Sequence, residues 1–485
     1  MKKLQFLAWP KLCTAALLGA GALFMASCAK DGYDDKESWE STVTNTQMTS
    51  PDADKIVITP SADGMSMKIE WPVVTGAGGY QLTLTDISDA ANPVQVLNQK
   101  VDGCSIEGVP REEDVRYKLE LRALGKSSAG NTDAPTSTEK LFSTTTETTA
   151  TIPNNSDLAE WFAANPVPNS EEMLYYDLIA GGSYTLNSQI DFEGHKVTIR
   201  SQSKNNRATV TYGAEGSFLI GNGFGLKYIN FELGSGTKPF IRLSATPGVP
   251  VDPDHNNHYI ITEPISVMSC NVNNLKSYFL FDGGSEGKKY CLKTVLVNNC
   301  LVKVALDASP GTDASVFDMY KAGGFINDIT LQNTTFWNAK QETADFKYFI
   351  RYANAGRADR AGFMSASINF VNCTLYKMCK AGQMCNHSGF DGHATANYNI
   401  TKNIFVDCGS NQVARRIIGR AGTGSIIFNY NTYKFNDEID TDQSGYDTGT
   451  HLTTDPGFAD PNNGDFTISG SAQLANQTGD PRWIK

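Results

Sequence analysis

Hydrophobic positions recur along the middle of the chain in a fixed phrase: apolar, any, apolar, any, polar and often Asn, any, any, apolar. It reads most clearly in Leu226-Lys227-Tyr228-Ile229-Asn230-Phe231-Glu232-Leu233, in 295–302 with Asn299, in 329–336 with Asn333 and in 368–375 with Asn372. Looser copies occupy 265–272, 398–405 and 426–433. The fifth positions, 230, 269, 299, 333, 372, 402 and 430, lie 39, 30, 34, 39, 30 and 28 residues apart. Alternation with a period of two is a half-buried strand, and a strand-and-turn unit repeated at this spacing predicts a solenoid in which each copy is one coil. Stacked coils would bring the Asn residues at the turn into a hydrogen-bonded ladder, which is a structural role. One place later stand Cys270, Cys300, Thr334 and Cys373. The same stacking makes them one inward column, and small side chains filling a coil need no bond between them, so free buried thiols are expected.

The flanks obey other rules. Residues 1–27 carry Lys2, Lys3 and an apolar run over 12–26, a secretory leader too short to span a membrane. Met25-Ala26-Ser27-Cys28 resembles a bacterial lipobox, which implies lipidation of Cys28. Lys30-Asp31-Gly32-Tyr33-Asp34-Asp35 is similar to the signal that sends Bacteroidetes lipoproteins to the outer face of the outer membrane, and residues 28–55 read as an acidic tether. Over 56–143, short alternating strands at 65–71, 80–85, 94–101 and 117–124 are bounded by Gly, Pro and Asp, the pattern of a small sandwich. The Trp71 strand, Gly79-Tyr80-Gln81-Leu82 and Tyr117-Lys118-Leu119-Glu120-Leu121-Arg122-Ala123 resemble a fibronectin type III module, which implies a spacer. A Thr-rich linker over 144–155 leads to a helix predicted at 156–164, with Ser156 as N-cap and Leu158, Trp161 and Phe162 on the face that covers the first coil.

Gly181-Gly182-Ser183-Tyr184-Thr185-Leu186, Ile190-Asp191-Phe192 and Lys196-Val197-Thr198-Ile199-Arg200 resemble the opening coils of right-handed parallel β-helices of the pectin-lyase type. The resemblance implies an all-β chain in which a β-helix over 156–435 follows the sandwich. Asp455-Pro456-Gly457-Phe458, Gly464-Asp465-Phe466-Thr467-Ile468 and Gly479-Asp480-Pro481-Arg482-Trp483, in the closing segment 436–485, resemble an uncharacterised Bacteroidetes lipoprotein family. That family joins a β-helix to a C-terminal domain of unknown function and is of the polysaccharide-utilisation-locus type. The resemblance implies an outer-membrane lipoprotein facing the exterior, with glycan-uptake transporter components as neighbours.

Charge narrows the chemistry. The net charge is −11, yet residues 180–435 carry 25 basic against 18 acidic side chains, and 436–485 carry 2 against 9. A basic solenoid in an acidic protein suits an extended anionic polymer, and the pectin-lyase resemblance implies that this polymer is an acidic plant polysaccharide. Nucleic acid would also suit it but is not met by an exported lipoprotein. The predicted ligand set lies between 340 and 420: Arg351, Tyr352, Arg357, Arg360, Lys377, Lys380, Arg415, Arg416 and Arg420, with Tyr348, Phe363, Tyr376 and Phe390 to stack on sugar rings. The pectin-lyase resemblance also implies a lyase alternative, β-elimination with Lys377 or Arg416 as base and Arg351 neutralising the uronate. No calcium cluster of carboxylates recurs between repeats. His387 and His393 flank Asp391 in a glycine-rich loop that permits acid–base or metal work, at a spacing that fits no known triad or metal pattern. Asp440, Asp442 and Ser444 resemble the first half of a calcium loop, but its closing Glu position is His451. No cofactor is expected, and Ca²⁺ is the one metal the sequence leaves room for. Binding is therefore preferred over a lyase, with a structural adhesin as the third reading.

Overall fold

The computed structural model describes residues 43–61, 66–88, 93–352, 362–387, 395–419, 424–440 and 445–485. The chain forms two compact units, the second starting at Thr145.

In the first unit, Val57–Pro60, Ser66–Glu70 and Ser105–Pro110 make one antiparallel sheet. Val94–Val101, Ala77–Asp86, Arg116–Gly125 and Thr138–Ser143 make a second, in that spatial order. Alternate residues turn inward from both: Met67 and Ile69 from the first, Leu82, Leu84, Leu119 and Leu121 from the second, all buried in one core with Trp71. The period of two in the sequence is the physical cause of this burial.

The second unit is a right-handed parallel β-helix with three walls. Sheet A runs from Ala150–Ile152 to Ile426–Asn429, sheet B from Ser183–Leu186 to Asn431–Phe435, and sheet C from Gln189–Asp191 to Gln383–Asn386. Each coil contributes one strand to each wall in turn, so like residues stack at the ~4.8 Å strand spacing. The interior shows the result: Phe231, Phe240, Phe279, Phe317, Phe349 and Phe370 follow one another at ring spacings of 4.9, 5.2, 5.2, 5.7 and 5.9 Å. After Gln383–Asn386, sheet C ends and the helix Val413–Ile418 takes the place of its next strand, burying Val413, Ala414, Ile417 and Ile418.

The repeated phrase is the corner between sheets A and B. Tyr228, Ser269, Asn299, Asn333, Asn372, Lys402 and Tyr430 all have φ between 50° and 60°. Asn is favoured there because it tolerates the left-handed conformation, which other side chains enter at a cost of ~1–2 kcal/mol. This corrects two expectations. The first copy aligns on Tyr228, and Asn230 lies two places later, where Asn271 Nδ2 donates to its Oδ1 at 2.9 Å. The turn Asn residues do not form a continuous ladder either: Asn299 Nδ2 donates to Ser269 Oγ, whereas Asn333 Nδ2 donates to Asn298 Oδ1.

The ladder stands one place on, in the predicted inward column. Cys270, Cys300 and Cys373 are free and buried, and the column continues from Thr334 through Asn403 and Asn431. Its side chains reach back to a carbonyl of the preceding coil: Cys300 Sγ to Val267, Thr334 Oγ1 to Val297, Cys373 Sγ to Leu331, Asn403 Nδ2 to Phe370 and Asn431 Nδ2 to Ile400. Each is a small donor that fits a dry coil and leaves no buried polar group unmet. Burial raises the Cys300 thiol to about 11 and that of Cys373 to about 12, so neither is a reactive thiolate near neutrality.

The N-terminal end of the expected β-helix shifts. Ala150–Ile152, within the stretch read as a linker, pairs with Leu174–Leu178 in sheet A. The cap helix is Leu158–Ala164, and its N-cap is Asp157 rather than Ser156. Asp157 Oδ1 accepts from Glu160 N while Oδ2 accepts from Thr185 Oγ1 and Asn187 N, tying the helix to the first coil. The Ser156 hydroxyl is already spent on Pro153 O.

Candidate functional site

The three walls present different outer surfaces. On sheet B the outward residues Leu301, Trp337, Tyr376, Ile404 and Val406 are apolar and are covered by Phe458, Phe466, Ile468, Leu474, Trp483 and Ile484 of the C-terminal segment. Asp480 anchors this cover: its Oδ2 accepts from Thr335 Oγ1 at 2.8 Å, and its N–H donates to Thr374 Oγ1 at 3.0 Å. Burial raises the Asp480 carboxyl to about 6. Sheet B is therefore not a free groove over these coils.

Sheet C carries the polar row. Strand register places Asp191, Leu219, Arg242, Phe281, Asp318, Arg351 and Asn386 in one column along the helix axis. Arg242 is half-buried; its Nη1 donates to Gln189 Oε1 at 3.1 Å and its Nε has no protein partner. Tyr278 and Phe281 stack at 4.1 Å and 13°. Arg351 lies over the Tyr320 ring at 3.7 Å and 5.2 Å from Tyr348, donating through Nη1 to Asp313 O at 2.8 Å, while its Nε too is without a partner. Asp318 is buried and held by Ser315 Oγ and Tyr320 N; burial raises its carboxyl above the ordinary range. One coil back, Asp282 accepts from Lys321 N and Ala322 N, clamping the turn that carries Tyr320, and burial raises it to about 7. The row thus holds two guanidinium groups, three strand steps or ~14 Å apart, with aromatic faces between them. Planar, fixed guanidinium donors match carboxylates, and the rings match the apolar faces of sugars.

The residues expected from sequence do not assemble into one patch. Arg351 alone belongs to the row, with a half-buried guanidinium that is a donor and not a base. Tyr352 points into the coil interior, 1% exposed, where it meets no ligand. Lys377 and Lys380 follow sheet B, and Lys380 pairs with Asp407 at 3.4 Å. Arg415 and Arg416 sit on the helix Val413–Ile418, with Arg415 5.7 Å from the Tyr446 ring. His387 is buried, its Nε2 2.6 Å from Ile417 O, holding that helix in place. Of the rings expected to stack on sugars, Tyr348 and Tyr376 are buried, and Phe363 lies under Lys293 at 4.6 Å. Arg357, Arg360, Arg420, Phe390, Asp391, His393, Asp442 and Ser444 lie outside the described residues, as does the side chain of Asp440. Among the described residues no group of three or more His, Cys, Asp or Glu is placed to hold a metal.

Sequence reasoning passed over Arg242, Phe281 and Asp318. Their signal is a short apolar-any-apolar strand about ten residues or more after each corner, as in Ile241-Arg242-Leu243 and Phe317-Asp318-Met319. Loops of unequal length separate these triplets from the corner, so their register is not readable without coordinates.

Three family models match the chain, each described as a domain of unknown function: DUF4992 over residues 3–181, DUF4957 over 182–339 and DUF5123 over 368–483. No curated protein matches the chain. Among solved structures, one titled "Myokine structure" is 18% identical, over 20% of this chain and 98% of that one, with a TM-score of 0.16. A pectate lyase from Erwinia chrysanthemi in complex with tetragalacturonic acid is 11% identical, over 59% and 85%, with a TM-score of 0.15. The pectate lyase Pel3 from Pectobacterium carotovorum is 7% identical, over 82% and 100%, with a TM-score of 0.17. The β-helix rests on its own sheet register rather than on these likenesses.

Proposed function

We propose that this protein is a surface lipoprotein of the polysaccharide-utilisation type, lipidated at Cys28, whose β-helix binds an extended acidic polysaccharide without cleaving it. In this reading the sandwich is a fibronectin-like spacer, and the captured glycan is passed to uptake components in the outer membrane. The observation that carries it is the Arg242–Phe281–Asp318–Arg351 row on sheet C, two guanidinium groups flanking a stacked aromatic pair. Catalysis is disfavoured because Arg351, the expected neutraliser, is held between tyrosines and bound to Asp313, and the carboxyl beside it in the row, Asp318, is buried and held by Ser315 Oγ and Tyr320 N.

The test is affinity electrophoresis of the leaderless protein through homogalacturonan and rhamnogalacturonan, with absorbance followed for unsaturated uronate with and without Ca²⁺. Retardation on the acidic polymer, weakened by salt and lost in the Arg242→Ala/Arg351→Ala double variant, with flat absorbance, is the expected result. Rising absorbance would overturn the non-catalytic reading, and retention unchanged in the double variant would remove the row. Charge reversal at Arg415 and Arg416 reads the separate contribution of the helix that ends sheet C.

A further inference from the structure

We infer that a recess between the outer face of sheet B and the C-terminal segment is a subsite for a single hexuronate residue, such as the end of an acidic glycan chain. The inference rests on the proposed affinity for acidic polysaccharide but concerns a different place from the sheet C row.

The recess has a volume of about 210 Å³ and is lined by residues 337–343 together with Tyr376, Lys377 and Asn462. That is below the ~300–1,000 Å³ of sites for drug-sized ligands, so it takes one sugar ring and not an oligomer. Trp337 and Tyr376, strand neighbours on sheet B, supply apolar wall. Gly464 of the C-terminal segment approaches the Trp337 indole so closely that a Cβ there would lie 2.9 Å from Cζ2, so the far side of the indole is closed.

Three polar groups in the recess have unused capacity. Tyr376 Oη and Lys377 Nζ both donate to Asn462 Oδ1, at 3.1 and 3.2 Å, which fixes the amide and leaves its Nδ2 as a donor with no partner among the described residues. Gln341 Oε1 is buried and accepts no hydrogen bond, a state that calls for a ligand hydroxyl or a water. Lys377 has no carboxylate within ion-pair distance among the described residues, in contrast to Lys340 at the same recess, which pairs with Asp307. Glu342 at the rim is exposed and solvated. A cation, an amide donor and an orphan acceptor around an aromatic wall describe a ring bearing one carboxylate and several hydroxyls.

The experiment titrates the leaderless protein calorimetrically with galacturonate, its methyl ester and galactose. Galacturonate should bind at least 10-fold more tightly than the other two. Lys377→Gln should abolish that preference, and Asn462→Leu should weaken galacturonate at least 10-fold. Equal affinity for acid and ester, or a preference that survives Lys377→Gln, would overturn the inference. Homogalacturonan retained by the sheet C row with no galacturonate binding would end the subsite alone. Lys377-dependent galacturonate binding without polymer retention would end the row alone and leave the subsite standing.

Discussion

Sheets B and C are built from the same coils, yet one outer face is a second core and the other is a charged row. The difference lies in a few outward positions. Sheet B repeats Leu301, Thr335, Trp337, Thr374, Tyr376, Ile404 and Val406, which would leave a large apolar patch in water. The C-terminal segment removes it by bringing Phe466 and Ile468 onto the patch and by satisfying the threonines with Asp480 and Trp483 Nε1. Sheet C places Arg242, Asp318 and Arg351 where sheet B has apolar groups, and neighbours such as Asp313 and Ser315 meet part of their Coulomb and hydrogen-bonding needs in place of an apolar cover. A β-helix wall is thus made structural or functional by its outward column, while the inward residues are much the same on both.

Phe466→Ala is the strongest way to break this contrast. Phe466 is fully buried and touches Trp337, Tyr376, Phe458 and Trp483 at ring distances of 5.3–5.8 Å. Its truncation should cost about 3–5 kcal/mol and release the C-terminal segment to limited proteolysis. Retention on homogalacturonan through sheet C should persist; if it is lost together with the segment, the two faces are not independent.

Acidity provides the next test. Burial lifts Asp480 to about 6, Asp345 to about 6 and Asp282 to about 7, all above the unfolded carboxylate range. Between about pH 4 and those values the folded chain holds protons that the unfolded chain has lost, so stability falls as pH rises through the window and levels off above it. The melting temperature should therefore rise on acidification from pH 7 to pH 5. Asp480→Asn should flatten part of that slope, by on the order of 2 kcal/mol. Asp307 opposes this trend only at lower pH, because hydrogen bonds from Lys276 and Lys340 depress it to about 2. A melting temperature that falls steadily between pH 7 and pH 5 would contradict the burial of these carboxyls.

The third test concerns the other face. Arg351→Ala should weaken polymer retention about 10-fold, equivalent to about 1.4 kcal/mol, with little change in the melting temperature. The expected pattern crosses with that of Phe466→Ala, which lowers stability and spares retention.

How far the sequence disclosed these faces depended on spacing. The A–B corner is one left-handed residue followed, in most coils, by one buried donor, so its local pattern recurs and the coils, the thiol column and the fold were legible from Asn299, Asn333, Asn372 and their neighbours. Connections between sheets B and C vary, as from Leu275 to Leu280 and from Val304 to Ser315, and there the register of Arg242, Phe281 and Asp318 was lost. Basic composition between 340 and 420 was a poorer guide. Lys340, Lys347, Arg351 and Lys380 each find an aspartate from another coil, a pairing that only stacking creates. The acidic closing segment showed its apolar residues plainly, but Phe466 and Ile468 gave no sign that they cover sheet B, because nothing in a local pattern names the distant surface that will receive it.

The smallest effect isolates what joins the corner to the cover. Asn372 has φ 52° and its Nδ2 donates to Gln477 O at 2.7 Å, so it serves both the A–B turn and the docking of the C-terminal segment onto sheet B. Glycine keeps the left-handed turn without strain but loses the hydrogen bond, which contributes about 0.5–1.5 kcal/mol. Alanine loses the bond and adds ~1–2 kcal/mol for a Cβ in that conformation. Denaturant melts of Asn372→Gly and Asn372→Ala therefore separate the two roles, with amide hydrogen exchange of residues 471–484 as the local readout. Faster exchange in both variants, with a larger fall in midpoint for alanine than for glycine, is the outcome expected if corner geometry sets the stability of the coils and the side-chain amide sets that of the cover. Unchanged exchange in the glycine variant would mean that the apolar contacts of Phe466 and Ile468 hold the segment without help from the corner.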